Sequence, residues 1–308
     1  MKGIELSEKF YNEVVKPYIA REFSDYENRI AAGLAGHGSE CFGFDDETSK
    51  DHDGGTGLCL WICREDDEKI GFRLMRAYDK LAKEYGVKGV ERTCENGFRG
   101  VFVIDDFYRR YTGCDGAPKT WQDWLYTDGA YFAEATNGVV FKDDLGEFSK
   151  IRNEILHGMP EDVRIKKIGS CAFKAAQSGQ YNYARCLAHG EEGAAMLALC
   201  EFVRNAVELA FLLEKKHCPY YKWQFRTMNG LKKFSELRAP LEYLLTAEND
   251  ETGRGVKKAI VEDISLALAK ELNEQFALGI NDGYLEPFAF ALQKKIKNSD
   301  IRNLHVVI

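Results

Sequence analysis

Residues 36–53 read GHGSECFGFDDETSKDHD, and this stretch decides which fold the sequence favours. It opens with a turn-forming Gly-Ser string at 36–39 and ends on two aspartates, Asp51 and Asp53. Apolar runs flank it, IAAGLAG at 30–36 and GLCLWIC at 57–63, and both are typical of short buried strands. The sequence therefore predicts a turn and an acidic pair carried by neighbouring strands of one small sheet.

These residue types suit phosphate chemistry. Two carboxylates at i and i+2 on a strand point to the same face, where they can bridge divalent cations about 3.5–4 Å apart. A Gly-Ser turn before a helix start offers unpaired backbone N–H groups and a hydroxyl to the oxygens of a triphosphate. Either pattern alone is common on ordinary surfaces, but the two in this order and spacing favour phosphoryl or nucleotidyl transfer.

The pattern Gly-Ser, a short gap and Asp-x-Asp resembles the signature of the nucleotidyltransferase (polymerase beta-like) superfamily, which includes the aminoglycoside nucleotidyltransferases. The longer string GHGSECFGFDDETSKDHDGG is similar to a bacterial branch of that superfamily whose function is unknown. PYYKW at 219–223 resembles a second motif of the same branch. The resemblance implies that Gly38 and Ser39 hold nucleotide phosphates, and that Asp51 and Asp53 bind Mg²⁺.

The superfamily usually adds a third carboxylate, as a metal ligand or as the base that deprotonates the acceptor hydroxyl. In FRGVFVIDDF, at 98–107, the strand itself holds no acid, and Asp105 comes at its end on the face of Val101 and Val103. Asp105 is therefore the expected catalytic acid, with Glu95 as the second choice.

A basic segment in the second half supplies a further candidate. Residues 212–238 contain seven bases and two acids, and Lys222 lies there among aromatic residues. We expect Lys222 to contact the phosphates of the nucleotide or the acceptor. The alternative is a lysine whose stem covers aromatic surface while its ammonium group stays in water.

Secondary-structure signals divide the chain. Strand and helix patterns alternate in the first part, whereas helical periodicity dominates from about Leu145 onward, at 147–157, 163–178, 192–216, 229–247, 256–278 and 284–297. The predicted fold is α+β: a small mixed-sheet nucleotidyltransferase domain at 1–146, then an all-α helical bundle at 147–308.

Composition limits the function classes. The chain has 308 residues, 45% hydrophobic and 30% charged, and no apolar run approaches the roughly 20 residues that cross a bilayer. With no secretory pattern at the N-terminus, we expect a cytoplasmic protein without membrane partners. A net charge of −7 makes nucleic acid an unexpected partner. Nine cysteines without C-x-x-C spacing predict buried, reduced thiols rather than disulfides or zinc.

The sequence thus predicts a Mg²⁺-dependent nucleotidyltransferase. It would move a nucleoside monophosphate from an NTP, with ATP expected, to an acceptor hydroxyl on a small molecule or protein, and release pyrophosphate. The alternative is a nucleotide-binding regulatory module that has lost turnover. The acceptor and the oligomeric state stay open, with a mild preference for a cationic acceptor because residues 40–68 carry ten acids and two bases.

Overall fold

The computed structural model describes residues 2–46, 57–87 and 98–308. The chain forms two compact units, Met1–Gly158 and Met159–Ile308. Helical structure does become continuous near residue 147, but the helix at Glu147–His157 packs within the first unit. The units therefore divide at 158/159, twelve residues beyond the predicted boundary at 146/147.

A four-stranded mixed sheet forms the centre of the first unit. The strands are β1 (Ala31–Leu34), β2 (Cys59–Ile62), β3 (Gly100–Val103) and β4 (Val139–Lys142), in the order β3-β2-β1-β4. β1 is antiparallel to both β2 and β4, whereas β2 and β3 run parallel. A parallel pair needs a crossover connection, and the helices between β2 and β3 lie within that connection.

Continuous burial explains the apolar runs that predict β1 and β2. All residues of both strands are buried, because helices cover the sheet. One core cluster joins the N-terminal helix to β1, β2 and the helix after β2, with Phe10, Ile30, Leu60 and Leu74 among its members. Phe10 and Tyr85 stack with ring centroids 4.8 Å apart in this cluster.

Helices surround the sheet in the first unit. They are α1 (Gly3–Phe10), α2 (Lys16–Glu22), α3 (Arg64–Asp66), α4 (Phe72–Tyr85), α5 (Ile104–Thr112), α6 (Trp121–Tyr126), α7 (Gly129–Thr136) and α8 (Glu147–His157). A π-helical turn at Tyr11–Val15 joins α1 to α2, so the helical segment is continuous from Gly3 to Glu22.

The second unit, residues 159–308, is described completely and contains helices and no strand. The helices are α9 (Glu161–Ala175), α10 (Ala184–Ala188), α11 (Glu192–Leu213), α12 (Tyr221–Met228), α13 (Arg238–Thr246), α14 (Glu251–Phe276), α15 (Glu286–Lys295) and α16 (Ser299–Arg302). The predicted class, a small mixed-sheet unit followed by an all-helical unit, is confirmed. The single helix predicted over 229–247 is wrong, because Asn229-Gly230 forms a turn and α13 begins only at Arg238.

The structure also bears on the predictions about cysteine burial and membrane spans. The thiols are not uniformly buried: Cys200 is exposed and Cys63, Cys114 and Cys186 are half-buried. Within the described residues, no helix is both long enough and apolar enough to cross a lipid bilayer.

Candidate functional site

Strand register brings four chain segments together at one end of the sheet. Gly33 pairs with Cys59 and Leu34 with Val139, so β1 ends where β2 and β4 begin. Cys59 also pairs with Gly100, which places the start of β3 at the same end. We call this the turn end of the sheet, because the Gly-Ser turn follows β1 there.

Glycine is required in the turn by its backbone conformation. Gly36 has φ of 99° and Gly38 has φ of 118°, values that other residues rarely adopt. The side chain of Asn137 holds the first of these glycines on both sides: its Oδ1 accepts from the Gly36 N–H at 2.8 Å, and its Nδ2 donates to the Gly36 carbonyl at 2.8 Å. A short 3₁₀ helix, Ser39–Phe42, then begins directly after Gly38.

Unpaired donors collect at the start of this short helix. Within the described part of the chain, the N–H groups of Gly38, Ser39 and Glu40 donate no hydrogen bond, and the Ser39 hydroxyl makes none. After these three residues, the N–H of Cys41 is satisfied by the Gly38 carbonyl at 3.2 Å. Consecutive N–H groups of this kind form a concave site for an anion.

Arg99 supports the turn from the residue before β3. Its Nη2 donates to the His37 carbonyl at 2.9 Å and to Glu40 Oε1 at 2.6 Å. Its Nη1 donates to the carbonyl of Phe98 at 2.6 Å. Because the guanidinium spans all three groups, it fastens the turn to the start of β3 and neutralises the Glu40 carboxylate beneath it.

Two thiols border the same guanidinium. Burial raises the pKa of Cys41 to about 12, although the nearby Arg99 charge opposes that change. Burial likewise raises the pKa of Cys59. Both thiols are therefore neutral near pH 7 and act as small apolar groups rather than as nucleophiles.

An imidazole and a carboxylate stand at the edge of the turn. The His37 ring stacks on Phe98 with centroids 4.4 Å apart, and its Nδ1 lies 3.9 Å from Glu134 Oε1. Tyr111 packs behind Gly36, where its hydroxyl occupies the space that a Cβ would need. Burial, with Glu134 contributing, raises the pKa of Tyr111, so its phenol keeps its proton.

The predicted metal-binding pair falls outside the described residues. Asp51, Asp53 and the second-choice acid Glu95 all lie in segments that the structure does not describe. The description resumes at Gly57, whose carbonyl accepts a hydrogen bond from the Ser7 hydroxyl at 2.8 Å, at the turn end of the sheet. Among the residues that are described, no three His, Cys, Asp or Glu side chains come together as a metal site.

The role expected for Asp105 stays a prediction, and the structure gives its place in the fold. β3 ends at Val103, and Asp105 lies in the first turn of α5 rather than at the end of a strand. Val103 pairs with Ile62, the last residue of β2, so α5 begins at the end of the sheet opposite the turn end. The two ends of the sheet are three residues apart along β3, at about 3.3 Å per residue.

Lys222 lies in the second unit, whereas Gly38 and Ser39 lie in the first. It is exposed on α12, and its ammonium nitrogen is 5.0 Å from the centroid of the Trp223 ring. Lys222 makes no hydrogen bond or ion pair to a described residue, so its charge is available to a ligand.

Several residues of the turn end are not apparent from sequence patterns. Arg99, Asn137 and Glu134 come from segments that lie far from the Gly-Ser string along the chain. Arg99 and Asn137 are isolated polar residues just before β3 and β4, and the pairing of these strands brings them to the turn, whereas Glu134 lies in α7.

The first unit is therefore an α+β unit with the Gly-Ser turn at one end of its mixed sheet. Comparison with known proteins gives one family match, described as a domain of unknown function (DUF4037), over residues 124–224. That range includes PYYKW and excludes the Gly-Ser string.

Among solved structures, a nucleotidyltransferase-like protein from Exiguobacterium sibiricum is similar over 85% of this chain and 80% of its own. The identity is 11% and the TM-score 0.37. No curated protein shows significant sequence similarity to the chain.

Proposed function

We propose that this protein is a Mg²⁺-dependent nucleotidyltransferase, which moves a nucleoside monophosphate from an NTP, with ATP expected, to an acceptor hydroxyl and releases pyrophosphate. The observation that carries the proposal is the set of N–H groups at Gly38, Ser39 and Glu40, which donate to no described residue. They stand at the end of the sheet where β2 begins, and in the sequence Asp53 precedes Gly57, the first described residue before β2, by four positions. Triphosphate oxygens are the acceptors that such a turn suits.

Each group has a defined task in this proposal. The N–H groups of the turn and the Ser39 hydroxyl bind phosphate oxygens, while Arg99 keeps the turn in shape through the His37 carbonyl. The expectation that Lys222 contacts a phosphate stays a prediction, because Lys222 belongs to the second unit. Asp51 and Asp53 supply the carboxylate oxygens that Mg²⁺ prefers, and the bound metal would withdraw charge from the triphosphate.

We leave Asp105 out of the mechanism because α5 begins at the other end of the sheet. His37 and Glu134 form a titratable pair at the edge of the turn, with Nδ1 and Oε1 3.9 Å apart. We assign to this pair the acceptance of the proton from the acceptor hydroxyl.

The displacement of Asp105 also favours a second candidate function. A protein that keeps the phosphate-binding turn but has no third acid near it would bind nucleotide without turning it over. Such a protein would act as a nucleotide-binding regulatory module. Pyrophosphate release distinguishes the two functions, since only the enzyme produces it.

Titration calorimetry of each NTP with Mg²⁺ tests the proposal. Wild type is compared with Asp51→Asn/Asp53→Asn and with Asp25→Asn/Asp263→Asn, which removes two exposed carboxylates elsewhere. We expect Mg²⁺-dependent binding in wild type and in the control, and its loss in the first variant. Failure of folded wild type to bind any NTP would refute both candidate functions.

A further inference from the structure

Aromatic and cationic side chains are concentrated on and just before α12. We call this the α12 surface: Tyr220, Tyr221, Lys222, Trp223 and Arg226. The Tyr220 and Tyr221 rings lie 4.3 Å apart and are 46% and 69% exposed. The Lys222 ammonium and the Arg226 guanidinium lie 5.0 Å and 5.9 Å from the Trp223 ring centroid. The surface thus presents exposed rings beside two positive charges.

Positive charge around this surface is only partly neutralised. Among the bases in 212–238, Lys216 pairs with Glu214, Lys233 with Glu271 and Arg238 with Glu242. Lys215, Lys222 and Lys232 are exposed and form no ion pair with any described residue. The net charge of −7 therefore does not describe this region.

Helix geometry arranges the cations on one side. Lys222 and Arg226 are four residues apart on α12, so their stems lie on the same helix face against the indole. Contact with the ring restrains both long side chains before any ligand arrives, and this lowers the entropy cost of binding. Tyr221 adds a large exposed ring next to them.

We propose that the α12 surface binds single-stranded nucleic acid, with phosphates paired to Lys222 and Arg226 and bases stacked on the tyrosine rings. Single-stranded nucleic acid carries a negative phosphate at each nucleotide and exposes the flat faces of its bases. The cations of the α12 surface complement the phosphates, and its tyrosine rings complement the bases. An acidic peptide would use the cations and leave the tyrosines without partners. Duplex hides its base faces, so a single strand fits better. This inference does not depend on nucleotidyl transfer.

Fluorescence anisotropy of a labelled twelve-nucleotide RNA, with the full chain and without NTP or Mg²⁺, tests the inference. The test variant is Tyr221→Ala/Arg226→Ala, which leaves Lys222 in place. The matched control is Tyr126→Ala/Lys295→Ala, which removes an equally exposed tyrosine and one cation elsewhere. We expect the test variant to bind about tenfold more weakly and the control to stay within about twofold of wild type. Circular dichroism verifies that both are folded.

Three results would overturn the inference. The first is no RNA binding by wild type at low salt, and the second is equal weakening in the control variant. The third is equal binding of a labelled oligoglutamate or of a duplex, which would indicate a general polyanion surface. Calorimetry of Mg²⁺ and NTP with the test variant separates the two proposals, because we expect that variant to keep nucleotide binding.

Discussion

Arg99 and Glu40 form a largely buried ion pair, with Nη2 and Oε1 2.6 Å apart and side chains 15% and 9% exposed. The pair joins the residue before β3 to the short helix after Gly38, although 59 residues separate them along the chain. Because the same guanidinium also binds the His37 carbonyl, the shape of the Gly-Ser turn depends on Arg99.

Arg99→Gln is expected to destabilise the first unit by about 3–5 kcal/mol, because it leaves the Glu40 carboxylate buried without a counter-charge. Arg99→Lys keeps the charge but cannot reach three acceptors at once, so we expect an intermediate loss. Urea unfolding measures both values, and hydrogen exchange of residues 36–46 reports the turn directly.

The matched control is Arg64→Gln, since Arg64 and Asp106 pair at 2.7 Å with side chains 49% and 40% exposed. An exposed pair of this kind contributes about 0–1 kcal/mol. Equal effects of the Arg99 and Arg64 substitutions would show that the buried pair does not hold the turn.

Gly138→Ala is expected to destabilise the protein strongly. Gly138 has φ of 68°, and a Cβ there would collide with the Leu34 carbonyl at the start of β4. Gly86→Ala is the control, because Gly86 has φ of 85° and open space around its Cα. The control should lose only the left-handed backbone cost of about 1 kcal/mol, and Gly138→Ala at least about 2 kcal/mol more. Similar midpoints of thermal unfolding would contradict the close approach of β1 and β4.

Strands could be predicted from sequence where both faces are buried, because such strands have continuous apolar sequences. IAAGLAG and GLCLWIC contain β1 and β2, and the helices after residue 145 follow from their periodicity. The sequence predicts one helix over 229–247 because helical apolar spacing continues beyond Asn229-Gly230, although that dipeptide is itself a turn signal. The sequence places Asp105 at the end of a strand, whereas it lies in α5, because α5 begins at Ile104 directly after β3 ends at Val103.

The candidate site could be predicted only where it is local in sequence. Gly38 and Ser39 adjoin the strand that positions them, so their pattern is visible in the chain. Arg99 and Asn137 act through strand pairing over long separations, and a single sequence holds no signal of that pairing. Their roles follow from the register of β3 and β4 with the rest of the sheet.

Glu134→Gln and Asp105→Asn should separate the two possible proton acceptors of the proposed reaction. We expect Glu134→Gln to lower kcat for pyrophosphate release about tenfold or more while nucleotide affinity stays near wild type, because the carboxylate, 3.9 Å from Nδ1, stabilises the imidazole of His37 as it takes up the proton. Asp105→Asn should leave both parameters unchanged, since α5 begins at the other end of the sheet. A loss of kcat in Asp105→Asn alone would restore Asp105 as the base and remove Glu134 from the mechanism.

Lys166 on α9 gives the second unit a pH-dependent stability. Its ammonium group is buried and donates to Gln293 Oε1 at 2.9 Å and to the carbonyls of Leu304 and His305 at 3.0 and 2.6 Å. These three acceptors are uncharged, and burial lowers the pKa of Lys166 from 10.5 to about 8. Between about pH 8 and pH 10.5, the unfolded chain therefore keeps this proton more fully than the folded protein does.

The sign of the effect follows from that difference. Below pH 8 the lysine is charged in both states, and the full cost of burying the charge is present. As pH rises from about 8 toward 10.5, the folded protein releases the proton first, so this group adds stability. Relative to Lys166→Met, whose stability contribution has no such titration, wild type should gain about 1–2 kcal/mol between pH 7 and 9.5. Urea unfolding of both proteins at each pH measures the difference, and a constant difference across that range would show that Lys166 keeps its ordinary pKa in the fold.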